Sequence, residues 1–332
     1  MTIKNETKHM FTKSQNKSIL KKHCCVLEQK NQNLKTPEIN KLLRHIQASK
    51  SDLNKHDFDS WLAGFIDADG YFGLSKAGQL TCEITTDVAD ESLLRKLQAT
   101  FGGSVKSRAG SASVRWRLTD QRGMKHLIQR VNGHIRFNVR CVQLERACER
   151  LGLTFLKSNP LSPNSGYFAG LFAGDGSITI GVGKSSRARS VLTGRYGKVQ
   201  RLIYGRGHSQ LRLQIDSSDR DLLQTCCEVL KLGTVIKKNP SKHARHRGPH
   251  EHYRWVWSSF DHVCAWRAYE ARLTAPKSIK HRRLVLANRY FHLKQDGCHL
   301  APTDSGLFKR WLNFCYVWYD CQKHGLRENP PC

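Results

Sequence analysis

Two stretches of the chain carry an apolar run that stops at an aspartate and a glycine: WLAGFIDADGYFGLS over 61–75 and YFAGLFAGDGSITIGV over 167–182. In each, large apolar residues surround an Ala-Gly pair, and the glycine after the aspartate opens a strand-like segment. This pattern predicts a helix that feeds directly into a strand. Downstream, LTCEITTDVADESLLRKLQATFGGSV (80–105) and LRLQIDSSDRDLLQTCCEVLKLGTVI (211–236) read alike: a strand, an acidic turn, a helix, then a glycine turn into a strand. Trp-containing strands follow, VRWRLTD (114–120) and YRWVWSS (253–259). Each copy closes on a helix starting near 120 or 260 and a basic stretch near 136–151 or 277–291. The order helix–strand–strand–helix–strand–strand–helix thus occurs twice, which predicts an α+β fold of two pseudo-symmetric αββαββα halves.

The boundaries follow from composition. Residues 1–55 hold 12 basic and 4 acidic side chains and few large apolar ones, and read as a basic arm with one helix around LKTPEINKLLRHIQ. The first half occupies 56–155, and LKSNPLSPNSG (156–166) reads as a linker. The second half occupies 167–291. Residues 292–332, aromatic and Cys-rich (RWLNFCYVWYD), form a C-terminal extension expected to pack on the second half. Asp59 or Ser60 is the expected cap of the first motif helix, and Asn164 or Ser165 of the second.

Charge narrows the partners. Lys and Arg total 55 against 27 acidic residues, a formal net charge of +28, which points to a polyanion. Hydrophobic content of 39% argues for a folded chain. Residues 183–210 hold seven Lys or Arg and no acid, interleaved with Tyr196 and Tyr204, and read as a basic hairpin. KKNPSKHARHRGPHEHYR (237–254) forms a second basic loop, and SVKSRAG with VRWR a third. No apolar run is long enough to span a bilayer, so no membrane is expected. The N-terminus lacks the features of a secretory signal or transit peptide. The twelve cysteines contain no C-x-x-C. The late group Cys298, Cys315, Cys321 and Cys332 fits no common zinc spacing, so thiols in a reducing compartment are expected.

The chemistry lies at the motif ends. Ala63/Ala169, Gly64/Gly170, Asp69/Asp175 and Gly70/Gly176 recur at matching places, whereas the position matching Asp67 is Ala173. Small residues let two helix backbones approach, which would set Asp69 and Asp175 side by side. Adjacent carboxylates repel unless a proton or a cation intervenes. Hard divalent ions such as Mg²⁺ resolve this, bind phosphate and support two-metal hydrolysis of a phosphodiester.

Both motifs, with the doubled architecture over roughly 58–291, resemble the double-motif LAGLIDADG homing endonucleases of organellar introns. The resemblance implies a saddle of antiparallel sheets, four strands per half, lying in the DNA major groove. It implies Mg²⁺ held by Asp69 and Asp175, with local hydrogen bonding left to Asp67. It also implies a basic residue near each scissile phosphate: Arg140 in the first half and Lys280 in the second, with Lys277 the fallback. The partner implied is double-stranded DNA with a long asymmetric target, read by a monomer in an organelle, the mitochondrion preferred to the chloroplast. The chief alternative is an intron RNA maturase on the same fold; a non-catalytic DNA-binding regulator is a second.

Overall fold

The structure, a computed structural model, describes residues 53–182, 194–205, 208–238 and 251–320. Residues 1–52 of the expected N-terminal arm, with its helix, lie outside the described residues, and 53–55 begin the first motif helix.

In the first half α1 (Leu53–Asp69) enters β1 (Gly70–Leu74), which pairs antiparallel with β2 (Leu80–Asp87). Helix α2 (Glu91–Phe101) leads to β3 (Ser104–Ser107) and β4 (Ser113–Leu118), and α3 (Gln121–Val131) and α4 (Asn138–Arg150) close the unit. The second half runs α5 (Tyr167–Asp175), β5 (Gly176–Val182), α6 (Gly194–Tyr204), β6 (Ser209–Ser217) and α7 (Arg220–Leu230). It continues through β7 (Thr234–Lys238), β8 (His252–Trp257), α8 (Phe260–Arg272) and α9 (Lys280–Gln295), and α10 (Gly306–Asp320) follows. The sheets have equivalent strand orders, β1-β2-β4-β3 and β5-β6-β8-β7. The fold is α+β with two antiparallel four-stranded sheets, as expected.

Alternation decides which face each sheet buries. Leu80, Cys82 and Ile84 of β2 are buried, as are Leu211, Leu213 and Ile215 of β6. Thr81, Glu83, Thr85 and their counterparts Arg212, Gln214 and Asp216 take the other, more exposed face. Under the second sheet, Trp255, Trp257 and Trp266 pack in tilted and edge-on contacts, ring centroids 4.6–6.2 Å apart. No helix among the described residues is long and apolar enough to cross a membrane.

Two local expectations change. Helix α1 begins at Leu53, so Asp59 and Ser60 lie inside it. Asp59 pairs with Arg130, and the Ser60 hydroxyl accepts from the Gly166 N–H at 3.0 Å. At α5, Ser165 Oγ accepts from the Tyr167 N–H at 3.2 Å. Second, residues 194–204 of the acid-free stretch form α6 rather than a hairpin arm; residues 183–193 and 206–207 lie outside the described residues. Val199, Leu202 and Ile203, at i, i+3 and i+4, make a buried stripe within the basic composition. Helix α10 covers it: Trp311 Nε1 donates to the Ile203 carbonyl and the Tyr319 hydroxyl to that of Lys198. The segment 156–166 bonds to both halves: Leu156 N–H donates to Asn132 Oδ1 and Asn159 N–H to the Gly133 carbonyl, while Tyr269 and Arg272 of the second half donate to residues 163–165. Cys298 and Cys315 are buried thiols, and no metal-binding cluster occurs among the described residues; Cys321 and Cys332 lie outside them.

Candidate active site at the paired motif helices

Helices α1 and α5 meet backbone to backbone. A Cβ on Gly64 would lie 2.1 Å from the Tyr167 carbonyl oxygen, and one on Gly170 1.8 Å from that of Trp61. No side chain fits at either point, so the Ala-Gly pairs set the helix separation. Leu62, Phe65, Ile66, Phe168, Leu171 and Phe172 bury around this contact. The helix ends meet in turn: a Cβ on Gly174 would lie 2.3 Å from Ala68 Cβ and 3.1 Å from Asp69 Oδ2. Gly70 and Gly176 then start β1 and β5, opposite Ile84 and Ile215.

Asp69 and Asp175 therefore sit together beside a cleft lined by Asp69, Thr85, Asp90, Gly174, Lys280 and Arg283. Burial pushes the Asp69 carboxyl up to about 6; Lys280 opposes this, Asp90 adds to it and Arg140 opposes it. Burial raises Asp175 to about 7, with the Asp69 and Asp216 charges adding and Lys280 and Arg140 opposing. Asp175 keeps solvent access although protein crowds it. Among the described residues, no donor hydrogen-bonds either carboxylate. Two crowded, undonated carboxylates offer a hard oxygen donor set and excess negative charge, which fits a hard divalent cation.

Arg140 and Lys280 occupy equivalent places at the helix ends. Arg140 Nε donates to the Ile66 carbonyl at 3.4 Å and Nη1 to Gln143 Oε1 at 3.3 Å. Lys280 Nζ donates to the carbonyls of Phe172 (3.1 Å), Ala173 (2.6 Å) and Gly174. A cation at a helix C-terminus complements the free carbonyls and the helix dipole. Burial lowers the pKa of both, opposed by the motif aspartates. Lys277 turns elsewhere, donating to the Glu270 and Leu273 carbonyls at the end of α8.

Asp67, absent from the repeat, is buried and accepts three hydrogen bonds. They come from the N–H groups of Arg136 (2.8 Å) and Phe137 (3.1 Å) and from the Tyr167 hydroxyl (2.6 Å). It anchors the start of α4 and ties α5 to the first half. Burial raises its pKa to about 7, and those hydrogen bonds and Arg140 oppose the rise.

Asp90 belongs to the same region and escapes a reading of the sequence. The acidic turn DVADE promises caps for α2, and Asp87 does accept from the Ala89 N–H at 2.8 Å. Asp90 instead reaches into the second half and accepts from the Ile279 N–H, 2.6 Å away at the start of α9. Its partner lies 189 residues along the chain, and no local pattern announces that.

Residues 62–140 match the family model for the LAGLIDADG endonuclease. The chain is 30% identical over 265 residues to the probable intron-encoded endonuclease aI2 of Debaryomyces hansenii, covering 80% of this chain and 38% of that one. It is also 30% identical over 263 residues to the intron-encoded RNA maturase bI4 of Saccharomyces cerevisiae, covering 79% and 36%. It thus spans a little over a third of the length of these two relatives. With the intron-encoded DNA endonuclease ai2b of Dictyostelium discoideum it shares 30% identity over 195 residues, 55% of this chain and 72% of that one. The crystal structure of the LAGLIDADG meganuclease I-AabMI bound to uncleaved DNA superposes with a TM-score of 0.53 at 16% identity, covering 77% of this chain and 98% of that one.

Proposed function

This chain belongs to the LAGLIDADG endonuclease family, and from that premise we propose that it cuts both strands of duplex DNA at a long asymmetric site. The observation that carries the reading is the pair Asp69–Asp175, one carboxylate from each motif, crowded together without a hydrogen-bond donor beside a cleft.

In this reading Asp69 and Asp175 bind divalent cations, Mg²⁺ under working conditions. Such ions supply an activated water and stabilise the leaving oxygen. Lys280 and Arg140 hold the ends of the motif helices and keep positive charge beside the scissile phosphates, where it offsets the charge developing in the transition state. The open sheet faces carry the groove-reading side chains, and the +28 charge supplies affinity for phosphate. Two motifs in one chain complete the helix pair, so the active form is a monomer. An organelle, the mitochondrion in preference to the chloroplast, is the compartment that accords with intron-encoded relatives.

The test is incubation with duplexes spanning intron-free insertion sites in Mg²⁺, in Ca²⁺ and in EDTA. Double-strand breaks in Mg²⁺, binding without breaks in Ca²⁺ and no breaks in EDTA are expected; breaks independent of metal contradict the reading. The RNA maturase relative, matched over 79% of this chain, favours a second reading, in which the chain assists splicing. That activity would leave Asp69 and Asp175 idle, so splicing unaffected by Asn at both positions would distinguish it.

A further inference from the structure

The open face of each sheet carries one carboxylate that grips two cations, and the two grips are out of step. On the second sheet, Asp216 of β6 stands opposite Arg254 of β8. Arg254 Nε donates to Asp216 Oδ1 at 2.6 Å and Nη2 to Oδ2 at 2.9 Å, while Lys238 Nζ lies 2.7 Å from Oδ2. Burial alone would raise the Asp216 carboxyl, but the hydrogen bonds from Arg254 and Lys238 outweigh it and hold it low, so the grip is ionic. On the first sheet, Glu83 of β2 stands opposite Arg117 of β4. Arg117 meets it through Nε and Nη2, and Arg115 Nη1 reaches Oε2 at 3.2 Å.

Both Arg254 and Arg117 are held side-on, through Nε and Nη2. That leaves the outer edge of each guanidinium, Nη1 with the remaining Nη2 hydrogen, for another acceptor, and among the described residues no other acceptor takes it. The outer edge is the fork that matches O6 and N7 of guanine in the major groove. A fixed carboxylate behind it removes rotamer freedom that the arginine would otherwise lose on binding.

Register sets where each fork lies. Ile84 and Ile215 occupy equivalent places opposite Gly70 and Gly176. Asp216 is one residue past Ile215, at the level of Thr85, which lines the cleft beside Asp69. Glu83 is one residue before Ile84, on the side away from the cleft. The two grips therefore differ by two residues, about 6.6 Å along a strand, or about two base-pair steps of 3.4 Å.

We propose that Arg254, buttressed by Asp216, and Arg117, buttressed by Glu83, each read a guanine. The guanine of the second half lies about two base pairs nearer the centre of the site than that of the first. The inference rests on the duplex-DNA reading given above.

Selection of bound duplexes from a randomised library in Ca²⁺ tests it with the full chain. The parent protein is expected to enrich one guanine per half-site, at unequal distances from the centre, each by about 5–150-fold over other bases. Arg254→Ala erases the inner preference alone and Arg117→Ala the outer alone. Asp216→Asn and Glu83→Gln, which keep the shape and release the arginine, weaken the same preferences at those positions only. Selected sites without guanine at either position, or preferences that these four changes leave intact, overturn the inference while leaving DNA binding established. A chain that retains no duplex at all removes the DNA reading, and this inference with it.

Discussion

At the end of the first motif helix a carboxylate reaches out to the next helix; at the end of the second, the next helix reaches in. Asp67 accepts from the N–H groups of Arg136 and Phe137 ahead of α4. The equivalent place on α5 is Ala173, and a 140-residue offset that matches buried Leu144 with Leu284 sets Pro276 against Arg136. Proline has no N–H to give, so a carboxylate at 173 would find one donor missing. The second half relies on Lys280, which holds three carbonyls of α5 where Arg140 makes one long contact to a carbonyl of α1, and Asp90 from the first half holds the start of α9. The inversion continues one turn along. Gln143 accepts from the Phe72 N–H of β1, whereas Arg283 donates to the Ile178 carbonyl at the matching point of β5. The halves share a backbone plan and solve its polar requirements with opposite donors and acceptors. Close helix packing constrains both halves equally, while hydrogen bonds need only be satisfied, by whichever partner is present.

The largest effect should fall where the halves agree. Gly170→Ala and Gly64→Ala each drive a methyl into backbone, and each is expected to cost upwards of about 3 kcal/mol, read as loss of a cooperative urea transition. Equal damage from both would sharpen the comparison, and tolerance of either would break it.

Next come the polar contacts where the halves differ. Asp67→Ala strands two backbone donors and the Tyr167 hydroxyl, so a loss of about 2–4 kcal/mol is expected. Tyr167→Phe removes one of the three and should cost about 1 kcal/mol. Lys280→Met, which frees three carbonyls, should cost about 2 kcal/mol, and Arg140→Met, which loses two long contacts and frees only one carbonyl, about 0.5 kcal/mol. Denaturant titrations of the four variants would rank them, and equal losses at 140 and 280 would contradict the asymmetry.

The smallest effect is set by pH. The Asp69 carboxyl titrates near 6 in the folded, metal-free protein and near 3.9 in an unfolded chain. The folded state thus holds the extra proton between those values, and metal-free stability falls as pH rises from about 4 to 7. Asp69→Asn removes that penalty. In EDTA the variant should be about 1 kcal/mol more stable than the parent at pH 7.5, a figure reduced for the carboxylate's solvent access, and no more stable near pH 4. A variant less stable than the parent at pH 7.5 would show that burial does not penalise the Asp69 charge.

What could be read from the chain was whatever acts locally. Ala-Gly before Asp-Gly states a helix contact, a helix end and a strand start within one short segment, and its recurrence singles out Asp69 and Asp175. The missing partner of Asp67 already hinted at a different task, but its donors arrive from about 70 and 100 residues away. Asp90 was hidden for the same reason, since an acidic turn looks the same whichever helix it serves. The stripe Val199, Leu202 and Ile203 was present in the sequence, but seven cations and no acid over 183–210 drew the segment toward a basic hairpin. Its apolar spacing decided the structure, because burying three side chains against α10 outweighs a preference set by charge alone.

The most direct test of the shared centre is cleavage of the selected duplex by Asp69→Asn and Asp175→Asn, singly and together. One carboxylate from each half means that either single change should abolish double-strand cleavage in Mg²⁺, lowering the rate by more than about 10³-fold. Binding in Ca²⁺ should stay within a few-fold of the parent, because only a charge repulsive to phosphate is lost. Cleavage that persists in the double variant would contradict the account.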